Sequence, residues 1–372
     1  MNNHLSIAMA IYRLVPRGGL EDHCIRLAQA LAQRGHRIVI FTAEPAELPG
    51  IEVHPIPEAS LPPSNHRRME TLARLAGKAI AAGNFDRSIA FQMMPGTGYV
   101  FLADPIRQAC GRNSWKWLTL RHHVYKSLEA RTLGPASKSK IIGLSERQMQ
   151  SFAHRYDLPP DRFRIAPPTL NKAKIRTSAR DLESRDSFRR KLGISGEAPV
   201  LMAAALHPWT KGLDRTITAL EQLPDAVLLV AGMEKSGSMA ANSVRQANIH
   251  GVLERIGFLG FLGPDELLEA MSAADVLAHP ARRDVTGAII LESIVNGLPV
   301  VATEVCGFSV HIEQSGAGSV LTEPFSKRAY VKALQQVIAE GRTLSENGTA
   351  YGKNPWLTSG IDQVCDWIEN GF

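Results

Sequence analysis

Two carboxylates eight residues apart, Asp284 and Glu292, flank Gly287 where an apolar segment ending in His279-Pro280 gives way to a helical run. A strand-to-helix junction leaves the first helical amides without intrahelical partners, so the amides of Thr286, Gly287 and Ala288 suit phosphate oxygens. A carboxylate just inside the helix, at Glu292, can hold a ribose diol. The plainer alternative is a glycine that caps a helix and a glutamate that faces water. Lys211-Gly212 follows the apolar run Pro199 to Leu206. A lysine at a loop tip there neutralises a departing diphosphate as a point charge, though most lysines are simply solvated.

A second constellation lies near the start of the chain. In Gly18-Gly19-Leu-Glu-Asp-His23, between an apolar segment and a helical one, small residues let the backbone approach a phosphate or a second substrate; an ordinary tight turn is the alternative. Asp104 ends the apolar segment behind Met94-Pro95-Gly96 and either orients a substrate hydroxyl or caps the helix that follows. The chain has no D-x-D triplet to hold a divalent metal on a diphosphate, and no G-x-x-x-x-G-K-[ST] loop. A site without metal is therefore expected. Cys24, Cys110, Cys306 and Cys365 are too scattered for a zinc or redox pair and read as reduced, buried thiols.

The net charge of +6 points to an anionic partner. From Arg112 to Lys140 seven cations oppose only Glu129, and Trp115, Trp117, Leu118 and Tyr125 are interleaved with them. Such a stretch suits the surface of an anionic membrane, or else it is a solvated basic helix packed by its tryptophans. The start of the chain lacks a leader's features, and no run of about 18 apolar residues occurs. A cytoplasmic protein that touches the membrane peripherally is expected.

Alternating segments must position these groups. Leu5 to Ile11 predicts a strand, Leu20 to Leu31 a helix stopped by Gly35, Arg37 to Thr42 a strand, Arg68 to Ala82 a helix and Arg87 to Phe91 another strand. After Pro167-Pro168 a polar stretch over 171–190 separates this half from a second start at Pro199. Further strands are predicted at Ala226 to Ala231, Ile256 to Leu259, Val276 to His279, Pro299 to Thr303 and Gly318 to Leu321. Strands alternating with helices predict an α/β protein of two parallel sheets, with domains over 1–168 and 169–354.

Residues His279 to Val300 resemble the D/E-x7-E signature of retaining, family-4 glycosyltransferases. Nearly the whole chain is similar to one branch of them, the bacterial lipopolysaccharide core glucosyltransferase I family, which adds glucose to an inner-core heptose. Pro16-Arg-Gly-Gly-Leu20, Phe101-Leu-Ala-Asp104, Lys211-Gly-Leu-Asp-Arg215, Leu291-Glu292, Gly297-Leu-Pro-Val300 and Val305-Cys-Gly307 carry the resemblance. It implies a GT-B fold, two Rossmann-like domains with a cleft between them, and a C-terminal helix over about 355–372 packing back on the first domain. The implied donor is a nucleotide sugar, UDP-glucose, with no further cofactor. The implied acceptor is a glycolipid at the inner face of the cytoplasmic membrane, with no nucleic acid involved. Glu292 would grip the ribose, Asp284 the transferred sugar, and Lys211 with the amides of Thr286 to Ala288 the diphosphate, while Gly18, Gly19 and Asp104 would serve from the first domain. Family members carry an Arg directly before this Lys or a few residues earlier, where this chain has Thr210 and Leu206; either Arg215, Arg282 or Arg283 supplies that charge, or phosphate is held more weakly. A nucleotide-sugar epimerase and a non-catalytic sugar-binding scaffold are the rival readings.

Overall fold

The computed structural model describes residues 4–15, 19–57, 60–104, 119–176, 182–194, 196 and 198–372. These fall into two compact units, one of residues 1–169 with 358–372 and one of residues 170–357.

The first unit runs β1 (Ser6–Arg13), α1 (Gly19–Gln33), β2 (Arg37–Glu44), β3 (Glu52–Pro55), α2 (Asn65–Ala82), β4 (Arg87–Ala90), β5 (Tyr99–Leu102), α3 (Leu120–Leu133), β6 (Lys140–Gly143), α4 (Glu146–Tyr156) and β7 (Phe163–Ile165). All its strand pairs are parallel, in the order β3-β2-β1-β4-β5-β6-β7. Chain order reverses between β1 and β4, where Ala10 lies opposite Ala90. Leu27 and Leu31 of α1, with Cys24 and Ala28, bury the helix face that meets this sheet. Each leucine contributes about 2 kcal/mol by leaving water.

The last helix of the chain, which belongs to this unit, lies along α1. Arg34 bridges three of its carboxylates, Asp362, Asp366 and Glu369, at 3.2, 2.6 and 3.1 Å. Tyr99 donates from its hydroxyl to the carbonyl of Trp367 at 2.9 Å.

The second unit runs α5 (Leu182–Lys191), β8 (Val200–Ala204), α6 (Leu213–Ala219), β9 (Val227–Ala231), α7 (Ala241–Ile249), β10 (Ile256–Gly260), α8 (Pro264–Ala273), β11 (Val276–His279), α9 (Ala288–Val295), β12 (Val300–Thr303), α10 (Ser309–Ser315), β13 (Gly318–Leu321), α11 (Lys327–Ala339) and α12 (Gly341–Tyr351). The chain-terminal helix over Gly360–Asn370 is α13. The second sheet, also all parallel, has the order β10-β9-β8-β11-β12-β13 and reverses between β8 and β11. Alternate residues of its central strands feed opposite faces, as a period of two demands. Leu201, Ala203, Val276 and Val301 join a core with Ile217, Tyr330 and Leu334. Val200, Met202, Leu277 and Val300 join another with Met271, Ile290, Ile294 and Ile312. Burial on both faces explains why these strands read as unbroken apolar runs.

The polar stretch over 171–190, where the sequence shows no apolar period, contains most of α5. This helix is held by a buried arginine rather than by an apolar stripe. Arg189 donates to the carbonyl of Ala273 at 2.8 Å and to Asp275 at 2.7 Å, and Phe188 packs on the core behind α8. Cys24, Cys306 and Cys365 are buried free thiols, while Cys110 lies outside the described residues.

Candidate functional site

In doubly wound sheets ligands gather at the carboxyl ends of the strands where chain order reverses. In the second unit those strands are β8 and β11, and the loops that leave them carry Lys211 and Asp284.

After β8 the chain turns tightly: the amide of Lys211 donates to the carbonyl of His207 at 2.9 Å, and that of Leu213 to Pro208 at 2.9 Å. Gly212 then starts α6 in the left-handed conformation at φ 75°, and a Cβ there would collide with the carbonyl oxygen of Pro280. Glycine at this position lets the Lys211 loop lie against the loop after β11. After β11 the segment from Asp284 runs beside Cys306 to Phe308, with Phe308 donating its amide to the carbonyl of Thr286 at 2.7 Å. Gly287 is the N-cap of α9 at φ 73°, and Ala288 is the first helical residue. The amide of Ile290 donates to the carbonyl of Gly287 at 2.8 Å, and the amides before it have no acceptor within the helix.

These two loops bring the charges together. Lys211 Nζ lies 2.6 Å from Asp284 Oδ2, and His279 Nε2 lies 2.8 Å from the same oxygen. The side chain of Asp284 is 9% exposed, that of His279 1% and that of Lys211 25%. Burial pushes the Asp284 carboxyl up, but the His279 hydrogen bond and the Lys211 charge outweigh it and hold the group down to about 2. An ionised carboxylate only accepts, so His279 carries its proton on Nε2. The other ring nitrogen, Nδ1, is then buried without a partner. Cys306 completes a His279, Asp284, Cys306 grouping whose ligand atoms lie within 4.8 Å of one another. Burial pushes its thiol up to about 12, which disfavours the thiolate a metal requires, and the Lys211 ammonium already sits on the carboxylate.

Glu292, one turn into α9, is 14% exposed rather than turned to water, and Lys174 Nζ lies 3.0 Å from its Oε1. Neither Lys174 nor His279 carried a role in the sequence reading. Lys174 sits in a polar stretch far from α9 in sequence, and His279 ends an apolar strand, where a histidine looks like core.

Of the three arginines expected to supply a second phosphate charge, two are committed elsewhere. Arg282 forks onto Asp214 at 2.6 Å through both nitrogens and lies over the Trp209 ring, 4.7 Å from its centre. Arg215 donates to the carbonyl of Pro280 at 3.1 Å and lies over Phe325, 4.0 Å from the ring centre. Arg283 is exposed and forms no ion pair among the described residues.

In the first unit, Gly19 opens α1 after β1, and Asp104 follows β5, so both leave the carboxyl ends of strands in one sheet. Gln148 fixes the backbone at Asp104 by donating to its carbonyl at 2.9 Å and to that of Leu102 at 3.0 Å. His23 stacks 5.4 Å from Phe101 and meets the Thr169 hydroxyl. Gly18 and residues 105–118, which include Arg112, Trp115, Lys116 and Trp117, lie outside the described residues.

Two doubly wound units, with a lysine, a carboxylate and a helix N-terminus at the switch point of the second, are the architecture of GT-B glycosyltransferases. Family models agree: residues 17–174 match Glycosyltransferase Family 4 and residues 184–354 match Glycosyl transferases group 1. The chain belongs to the family-4 glycosyltransferases and is a glycosyltransferase. It is 29% identical over 379 residues to the lipopolysaccharide glucosyltransferase WaaG of Escherichia coli (strain K12), covering 98% of this chain and 99% of that one. The crystal structure of WaaG superposes with a TM-score of 0.89 at 28% identity, over 98% of this chain and all of that one. The structure of Anabaena Alr3699/HepE in complex with UDP and glucose has the same fold, with a TM-score of 0.75 at 18% identity over 99% of this chain and 100% of that one.

Proposed function

We propose that the chain is a retaining hexosyltransferase that moves glucose from UDP-glucose to a membrane-anchored glycolipid, the heptose-bearing inner core of lipopolysaccharide. The observation that carries it is the Lys211–Asp284 pair at the β8/β11 switch point, beside the N-terminus of α9. The similarity to WaaG supports glucose and lipopolysaccharide, and the UDP and glucose bound to the Anabaena protein support the donor class.

In this reading Lys211 and the amides of Thr286, Gly287 and Ala288 hold the diphosphate, and Arg283 adds the second positive charge. Glu292 accepts from the ribose hydroxyls. Asp284 presents Oδ1 to a hydroxyl of the glucose, while His279 and Lys211 hold its other oxygen and keep it ionised. Asp104 orients the acceptor hydroxyl, and Gly18 and Gly19 give it room. The bond from the anomeric carbon to the diphosphate breaks, the acceptor oxygen bonds to the same face, and its proton passes to the departing diphosphate. Configuration is retained without an enzyme nucleophile. Lys211 provides the charge that a metal would otherwise bring to the leaving group, so neither a metal nor a resident cofactor is required.

Exposed Arg121, His123, Lys126 and Arg131 on α3, with Leu120 at 51% exposure, support peripheral contact with the anionic inner face of the cytoplasmic membrane. Among the described residues no helix is long and apolar enough to cross a membrane.

The test is incubation with UDP-glucose and heptose-terminated core lipopolysaccharide, with the product anomer read by NMR. An α-linked glucose formed equally fast in EDTA is expected. Isomerised UDP-glucose without acceptor would favour an epimerase, and no reaction with any nucleotide sugar would favour a non-catalytic scaffold.

A further inference from the structure

We propose that Lys174 is a positioning residue for the donor site: it holds the Glu292 carboxylate oriented so that one oxygen stays available to the ribose. The inference rests on the reading of Glu292 as the ribose-binding group.

Lys174 ends a 3-10 turn over Lys172–Lys174, started by Asn171, whose side-chain oxygen accepts the amide of Ala173 at 3.0 Å. This segment is stitched to α9 through one side-chain amide. Asn296 accepts the amide of Arg176 at 2.8 Å, and its Nδ2 donates to the carbonyls of Lys174 and Glu292, both at 2.8 Å. Leu170 packs with Leu291 and Val295 on the same helix, which anchors the start of the segment. The backbones on both sides of the Lys174–Glu292 pair are therefore fixed before the side chains meet at 3.0 Å. An exposed surface pair must hold two long side chains in one geometry at an entropic cost; here most of that order is already in place.

The residue type fits the task. A carboxylate offers about four lone-pair directions over its two oxygens. An ammonium is a point charge that takes one oxygen, here Oε1, whereas the planar fork of an arginine engages both. Lysine therefore fixes the rotamer of Glu292 without closing Oε2 to a diol. The neighbouring turn of α9 is short of polar partners: the hydroxyl of Ser293 is buried with none. Among the described residues, Lys174 is the ion-pair partner that holds the Glu292 carboxylate.

Calorimetric titration with UDP and with 2′,3′-dideoxy-UDP tests this on the wild type, Lys174→Met, Lys174→Gln, Glu292→Gln and the double variant Lys174→Met/Glu292→Gln, with melting curves as a check on folding. The expected result is that both Lys174 variants weaken UDP about tenfold and dideoxy-UDP less than about twofold, and that Lys174→Met adds almost nothing to Glu292→Gln. At saturating donor, turnover of the Lys174 variants should stay within about twofold of wild type, since binding uniform between ground and transition states is what is lost. Equal weakening of both nucleotides, additive losses in the double variant, or unchanged UDP affinity in both Lys174 variants would overturn the role of Lys174 alone. Unchanged UDP affinity in Glu292→Gln would overturn the ribose reading and this inference with it.

Discussion

At the scale of single residues, one buried oxygen organises the candidate site. Asp284 Oδ2 receives both the Lys211 ammonium and the His279 ring, and the resulting depression of its carboxyl to about 2 is a statement about stability. A carboxyl lowered in the folded state contributes stability that is complete above its unfolded value near 4 and is lost as the pH falls through about 2. Asp284→Asn should therefore cost about 2 kcal/mol at neutral pH, and in urea titrations the gap from wild type should narrow between about pH 4 and pH 2. Lys211→Ala should lower turnover by about a hundredfold or more while donor affinity falls much less, measured as kcat against the dissociation constant for UDP-glucose. Both residues were legible as candidates from their places after apolar strands. Their direct pairing was not, because 73 residues separate them and only the sheet order makes β8 and β11 neighbours.

At the scale of elements, two left-handed glycines set the loops. Gly212 and Gly287 start α6 and α9, and each would bring a Cβ into atoms of the site, Pro280 in one case and Asp284 with Ile290 in the other. Gly212→Ala should lower stability by about 2 kcal/mol or more, with loss of UDP affinity in calorimetry, because strain and collision add. The central strands of the second sheet were readable because burial on both faces makes them continuously apolar. Helix α5 was not, since its main buried anchor is Arg189, a residue type that seldom enters a core. Short edge elements such as β3 and β7 carry too few residues to show a period.

At the scale of the molecule, the proposal assigns donor and acceptor to different units, and the first of them carries the exposed basic residues of α3. If that face meets an anionic membrane, Arg121→Glu, Lys126→Glu and Arg131→Glu together should weaken cosedimentation with phosphatidylglycerol-rich vesicles by about a hundredfold, as should high salt on the wild type. Unchanged binding would remove the membrane from the proposal while leaving the transferase intact. The repeated doubly wound order was foreseeable from alternating segments, and the return of α13 to the first unit followed only from the family resemblance. Nothing local in Gly360–Asn370 distinguishes a helix that crosses back from one that stays; the triple grip of Arg34 does so only once the chain is folded.

The central claim is that the second unit binds a nucleotide sugar through Glu292 and the β8/β11 loops. Its most direct test is the thermal stability of wild type and Glu292→Gln with UDP, GDP, ADP and dTDP and their common sugars. Stabilisation by UDP and UDP-glucose that disappears in the variant is the expected result. No stabilisation of the wild type by any of them, or an equal shift in the variant, would contradict it.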